Sequence, residues 1–204
     1  MLFAVHISSG VLANGWIVGG FALAAILLLP AFWKLREDDI PRIGIFTAAF
    51  FIASSLRIPL GFASVHLILN GLVGVTLGRR AMLAVVVGLV LQSLLLHHGG
   101  MDALGVNACV VGIPALLASL LFPVLKRLGL PAFVRGFLLG SGAVAASACL
   151  NFLVLLCGGK DEWEWVAKVV LLGHLPVVAV EGVLLGVLVG YLEKVKPEML
   201  GAST

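Results

Sequence analysis

Apolar residues fill this chain in long blocks, and short polar loops separate them: 11–33, 43–58, 61–78, 81–96, 104–125, 131–157 and 165–192. A helix needs about 20 apolar residues to cross a bilayer, so the pattern predicts an all-α integral membrane protein with seven transmembrane helices. Arg57 and Pro59 close the second block, since a proline disfavours helix at the residue before it. Small residues recur every fourth position at Gly15 and Gly19, at Gly20 and Ala24, and along Gly182, Gly186 and Gly190. That spacing predicts a close-packed first helix and a smooth ridge on the last, with Gly136, Gly140 and Gly142 tightening the sixth.

The third block carries the first chemical signal. Read as a helix, it places His66 and Asn70 four residues apart on one face, among Phe62, Val65, Leu69, Val73 and other side chains without a polar group. Such a pair is costly in an apolar surround unless it meets a ligand or a partner helix, and both readings stand at this point.

Composition narrows the class. The chain is 61% hydrophobic and 11% charged, where a soluble domain carries roughly 25% charge, and its mean hydropathy is +1.19. A single membrane domain over residues 1–204 is expected, with no room for a soluble catalytic domain. Cys109, Cys149 and Cys157 lack C-x-x-C spacing and read as small core residues. The apolar start has no basic n-region, so a removable signal peptide is not expected.

Charge sets the orientation. Ten of the 13 basic residues fall in loops that share a side with the C-terminus: Lys34, Arg36 and Arg42, then Arg79 and Arg80, then Lys126, Arg127 and Arg135, then Lys194 and Lys196. Arg57, Lys160 and Lys168 are left for the other side. The bias predicts an outer N-terminus and a cytoplasmic C-terminus, and it explains the net charge of +3 without nucleic-acid binding.

The outer polar inventory is then short: His6, Ser8, Ser9 and Asn14; His66 and Asn70; Gln92, His97 and His98; Asp102 and Asn107. Histidine recurs in it, and neutral imidazole suits late first-row transition metals, whereas Mg or Ca would want carboxylates. No H-E-x-x-H and no G-x-x-x-x-G-K-[ST] occurs, so a zinc protease is disfavoured and any ATP must be hydrolysed by another protein. An intramembrane enzyme using His66, Asn70, Gln92 and Asn107 is an alternative, but it would want a nucleophile or acid, and Asp102 and isolated serines are the candidates. A stand-alone secondary transporter is another, without visible paired broken helices. Gln92 and Asn107 read equally well as donors to the N-terminal loop or as interhelical bonds. His97 and His98 read as residues of a solvent-facing turn, Asp102 as a solvated loop charge, and His174 with Glu181 as a buried structural pair.

Four stretches together are similar to the CbiM/NikM family, the metal-binding S components of energy-coupling-factor cobalt and nickel transporters. They are the run from His6 to Leu12; Ser64-Val65-His66-Leu67 with Asn70-Gly71 and Leu77-Gly78; Gln92 with His98-Gly99-Gly100, Leu104-Gly105 and Asn107; and His174-Leu175-Pro176 with Glu181-Gly182. They recur in family order over nearly the whole chain. The resemblance implies a multi-pass subunit of the bacterial inner membrane that captures Ni(II) or Co(II) from outside, is not an enzyme and holds no permanent cofactor. It implies that residues 1–10 form a metal-binding segment tucked into the bundle. The metal would be held by His6 and His66, with Asn70, Gln92, Asn107 and His98 around them. In the family a terminal amine and a backbone nitrogen complete four nitrogens in a plane, a geometry suited to Ni(II). The implied partners are a transmembrane coupling (T) subunit and two ATPase subunits, with a small accessory membrane subunit in some members.

The chain departs from that pattern where five residues precede His6. A GTG start codon at Val5 would restore Met-His-Ile at the terminus, and this is the expectation; with Met1 as the start, His97 or His98 would have to replace the amine. Ser9, where the family usually has an acid, is a milder departure.

Overall fold

A computed structural model describes residues 6–60, 63–161 and 163–200. Residues 1–5 of the expected metal-binding segment, and Glu162 of the loop before the last span, lie outside them. The chain is mainly helical. Its elements are α1 (Asn14–Phe32), α2 (Asp39–Ser55), strands β1 (Arg57–Leu60) and β2 (Ala63–His66), α3 (Asn70–Leu77), α4 (Ala81–Leu96), α5 (Leu104–Arg127), α6 (Ala132–Gly158), α7 (Glu164–Gly173) and α8 (Leu175–Val195). Among the described residues, Asn14–Phe32, Asn70–Leu96, Leu104–Arg127, Ala132–Gly158 and Glu164–Val195 are each long and apolar enough to cross a membrane.

The largest correction falls on the third block, which is not a helix over 61–78. Pro59 has no N–H to continue α2, which ends at Ser55, and the chain enters an antiparallel hairpin with Arg57 opposite His66 and Ile58 opposite Val65. His66 is the last residue of β2 and Asn70 the first of α3, so they do not share a helical face. Between them the backbone stays out of the helix, with Leu69 left-handed at φ 54°.

The Asn70–Leu96 stretch is bent back on itself. A straight helix of 27 residues would be roughly 40 Å long, yet His66 and His98, just beyond its two ends, stack with ring centroids 5.9 Å apart. The reversal is at Gly78, whose φ of 58° and ψ of −132° are open to a residue without a Cβ. The last stretch instead runs on through a bend at His174, because Pro176 cannot donate the hydrogen bond that a straight helix would need there.

All eight residues of α3 are buried, against α5, α6, α4 and α2. The most extensive pairing is α6 with α8, close at Gly136 and Gly140, where an added Cβ would meet the backbone of Gly186 and Glu181. Gly182 and Gly186 in turn receive Ser141, Phe137 and Phe133, while Gly142 and Gly190 are open. The expected close packing of the first helix holds at Gly20, where an added Cβ would meet the Val106 backbone of α5, and beside it, where Gly105 lies against the Phe21 backbone; it does not hold at Gly15 or Gly19, where a Cβ would meet nothing within 4 Å. Helix α1 is peripheral, with Val18, Ile26 and Leu29 exposed. An apolar groove of about 450 Å³ between α1, α5 and α6 lies along those open glycines, away from the histidines.

The two ends of the bundle differ. At one, Arg80 pairs with Asp39 at 2.6 Å, Arg79 donates to the Trp33 carbonyl, and Arg42 donates to the carbonyls of Thr76 and Met199, both at 2.6 Å. At the other end lie the N-terminal segment, the β2 terminus and the α4–α5 loop.

Candidate metal site

The N-terminal segment is sewn into that second end. His6, Ile7, Val11 and Leu12 are buried. Asn107, near the start of α5, grips Ile7 from both sides: its Oδ1 accepts from the Ile7 N–H at 2.8 Å and its Nδ2 donates to the Ile7 carbonyl at 3.0 Å. Gly100 N–H donates to the same carbonyl at 2.9 Å. Further along, Gly10 N–H donates to Asp102 Oδ2 at 2.9 Å, Lys160 N–H to the Val11 carbonyl at 2.9 Å, and Ala13 N–H to the Gly158 carbonyl at 2.8 Å.

This threading depends on Gly99 and Gly100. Gly99 sits at φ +76°, and a Cβ there would crowd His6 Cβ at 3.0 Å and Asn107 Nδ2 at 3.1 Å. A Cβ at Gly100 would overlap the Ser9 backbone nitrogen, and backbone cannot rotate away. Gly100→Ala is therefore expected to lift the segment and weaken metal binding by about 10-fold or more, with α6 and α8 unaffected; titration calorimetry with Ni(II) and a thermal melt check it.

The result is a histidine cluster. The rings of His6 and His66 lie 5.1 Å apart, and that of His98 stacks on His66 at 5.9 Å with the planes 18° from parallel. All three are buried, at 2%, 0% and 5% exposure. His66 Nδ1 is 2.9 Å from the Leu67 carbonyl, which can only accept, so the proton of the neutral ring sits on Nδ1 and Nε2 keeps its lone pair. No group of three His, Cys, Asp or Glu side chains among the described residues meets the spacing of a metal centre, so two imidazoles would need other donors beside them.

Sequence reasoning placed several neighbours well and others badly. Asn107 does hold the N-terminal segment. Gln92 is fully buried beneath the turn; neither of its side-chain amide atoms finds a hydrogen-bond partner among the described residues, and its backbone carbonyl accepts from His98 N–H at 3.1 Å. His98 is not a surface residue: it turns inward and its Nδ1 finds no partner among the described residues, whereas His97 is left-handed and exposed. Asn70 does not orient His66; its amide donates to the Val111 and Ala143 carbonyls at 3.3 Å and to Ser147 Oγ at 2.8 Å, tying α3 to α5 and α6.

Asp102 is not merely solvated, since it accepts from Gly10 and Ala103 N–H. Partial burial raises its pKa, but those bonds and one from the Ser9 hydroxyl outweigh it and hold the carboxyl below its usual 3.8. With a depressed folded-state pKa, the contribution of Asp102 is complete above the unfolded value and is lost as pH falls through the lower folded one. Asp102→Asn is thus expected to speed proteolytic cleavage of the N-terminal segment at neutral pH, the difference from wild type beginning to shrink only below about pH 4 and closing as pH falls through the lower folded-state value.

Comparison with known proteins follows the same outline. Residues 6–199 match the model of the CbiM family, described as the cobalt uptake substrate-specific transmembrane region. A protein of Haemophilus influenzae named for metal transport is 34% identical over 98% of both chains. The cobalt transport protein CbiM of Sorangium cellulosum is 31% identical over 96% of this chain and 94% of its own. A crystal structure of a transition metal transporter superposes with a TM-score of 0.83 at 25% identity, covering 95% of this chain and 94% of the other.

Proposed function

Because this chain belongs to the CbiM family, and is a multi-pass membrane protein of metal transport rather than an enzyme, we propose that it is the substrate-capture subunit of an ATP-driven importer of cobalt or nickel. The observation that carries the reading is the buried convergence of His6, His66 and His98 under a segment clamped by Asn107. His6 and His66 are the proposed metal ligands. His98, Gln92 and Asn107 are their surround, with His98 and Gln92 offering buried polar atoms that have no partner among the described residues. Nitrogen donors favour Ni(II) and Co(II) over Mg or Ca.

Seven crossings follow if α2 and the two arms of the bent stretch each count as one: α1, α2, residues 66–77, α4, α5, α6 and α7–α8. The metal end then faces outward and the arginine end faces the cytoplasm, in keeping with the positive-inside bias. Metal binding would order the N-terminal segment over the site. Since the sequence has no phosphate-binding loop, energy would come from two ATPase subunits acting through a coupling subunit, and motion of those partners would reorient the bundle to release the ion.

The test is uptake of radiolabelled Co(II) and Ni(II) by cells that lack other high-affinity importers and express the chain with its coupling and ATPase subunits. It is run for a form starting at Met1 and one starting Met-His6. ATP-dependent accumulation of either metal supports the reading. No uptake by either form, with all subunits present in the membrane, overturns it.

A further inference from the structure

Glu181 is 2% exposed on α8, and its carboxylate reaches across the bundle to the segment that presents His66. Oε1 accepts from the N–H of Ile68 and of Leu69, and Oε2 accepts from Leu69 N–H as well, both Leu69 contacts at 3.0 Å. These successive amides belong to the link between β2 and α3, where Leu69 is held at φ 54°. A non-glycine residue keeps a left-handed conformation in a buried segment only when its surroundings over-determine it. Successive amides around such a residue form a concave donor pair that suits an anion, and the nearby N-terminus of α3 adds its positive dipole end. No side chain of the link itself caps α3.

The base of Glu181 is equally fixed. Its carbonyl lies against Gly140 of α6, where an added Cβ would meet it at 2.5 Å, so the carboxylate is delivered from the most extensive helix pairing of the bundle. At the far end of α3, Arg42 joins the Thr76 carbonyl to that of Met199, beyond α8. The short α3 rod is thus tied at both ends to the C-terminal part of the chain, and the tie at its N-terminal end lies two residues from His66.

We propose that Glu181 is a positioning residue for metal capture: its carboxylate holds residues 67–69 in the conformation that places the His66 ring beside His6 and His98. Both oxygens are occupied by backbone amides, so Glu181 acts through the segment and not as a ligand. A carboxylate can accept at both oxygens, whereas an amide of the same shape would turn its NH₂ toward an N–H. The inference rests on the metal-site reading above, and its experiment separates the two.

Glu181→Gln and wild type are compared in nanodiscs, by amide hydrogen exchange of the metal-free proteins and by Ni(II) titration with absorption spectra. Expected are about 10-fold faster exchange at Ile68 and Leu69 with α6 and α8 unchanged, Ni(II) affinity down about 10-fold or more, and a shifted ligand-field band. Unchanged exchange at Ile68 and Leu69, or a folded variant with wild-type affinity and spectrum, overturns the proposal. So does a variant that fails to fold, because Glu181 would then serve the whole bundle. If wild type itself takes up no Ni(II), the metal reading has failed, and the exchange data alone decide whether Glu181 holds the segment.

Discussion

Replacing His66 by alanine is expected to weaken Ni(II) and Co(II) binding more than about 100-fold while the bundle stays folded, since partners outside the ligand shell are already worth about 10- to 100-fold. The residue is fully buried, yet it ends a strand and lies outside the helices; its Nδ1 is 2.9 Å from the neighbouring Leu67 carbonyl, and Nε2 is the proposed metal-binding atom. Truncation therefore removes the proposed nitrogen donor without interrupting a helix. Calorimetric titration of purified protein, with a thermal melt of the metal-free form, separates the two effects. His97→Ala is the control: His97 is exposed, so its affinity should match wild type. Equal binding by the His66 and His97 variants would remove the metal reading of the cluster.

The second large effect is expected at Asn107. Leucine there has similar volume but neither donor nor acceptor, so it strands the Ile7 N–H and takes one of two donors from the Ile7 carbonyl, Gly100 being the other. A buried group left unsatisfied costs about 1–3 kcal/mol, and the N-terminal segment can escape that cost by leaving the bundle. Binding that depends on His6 then pays the cost of re-docking the segment, a loss of about 10- to 100-fold at 1.4 kcal/mol per decade. The metal-free melt should change little, because Asn107 bonds the segment and not another helix. Asn107→Asp keeps the acceptor for Ile7 N–H, and it should lose less affinity than Asn107→Leu at neutral pH. A Leu variant that binds like wild type would show that the segment is held by its apolar residues Ile7, Val11 and Leu12 alone.

What could be read from residue order was whatever depends on one-dimensional pattern. Apolar block length marked the helices: α4 begins and ends where expected at Ala81 and Leu96, and α5 and α6 differ by one or two residues at their ends. Histidine and amide content at conspicuous places pointed to His6, His66, Gln92 and Asn107, because a polar side chain in an apolar chain is costly and so stands out. Pro59 carries two meanings: its missing N–H ends a helix, and the same feature permits the extended strand that follows.

The rest depends on what lies opposite each residue in space. An eighteen-residue apolar stretch looks the same whether it is one helix or a hairpin followed by a half-length helix, and the hairpin is what carries His66 to the bundle's end. Gly15 and Gly19 have helix-packing spacing, but spacing does not state whether a helix comes to meet them. Asp102 and His98 looked like loop residues until the N-terminal segment folded over them. Glu181 announced itself as a buried acid, though its partners, Ile68 and Leu69, lie more than a hundred residues away and offer backbone amides, which every residue but proline has and no pattern can single out. The sequence alone determined a membrane bundle with imidazoles in it, because hydropathy and side-chain chemistry are local properties. Only the tertiary structure decided which of those groups converge, because convergence is set by backbone hydrogen bonds and left-handed turns that close over long separations.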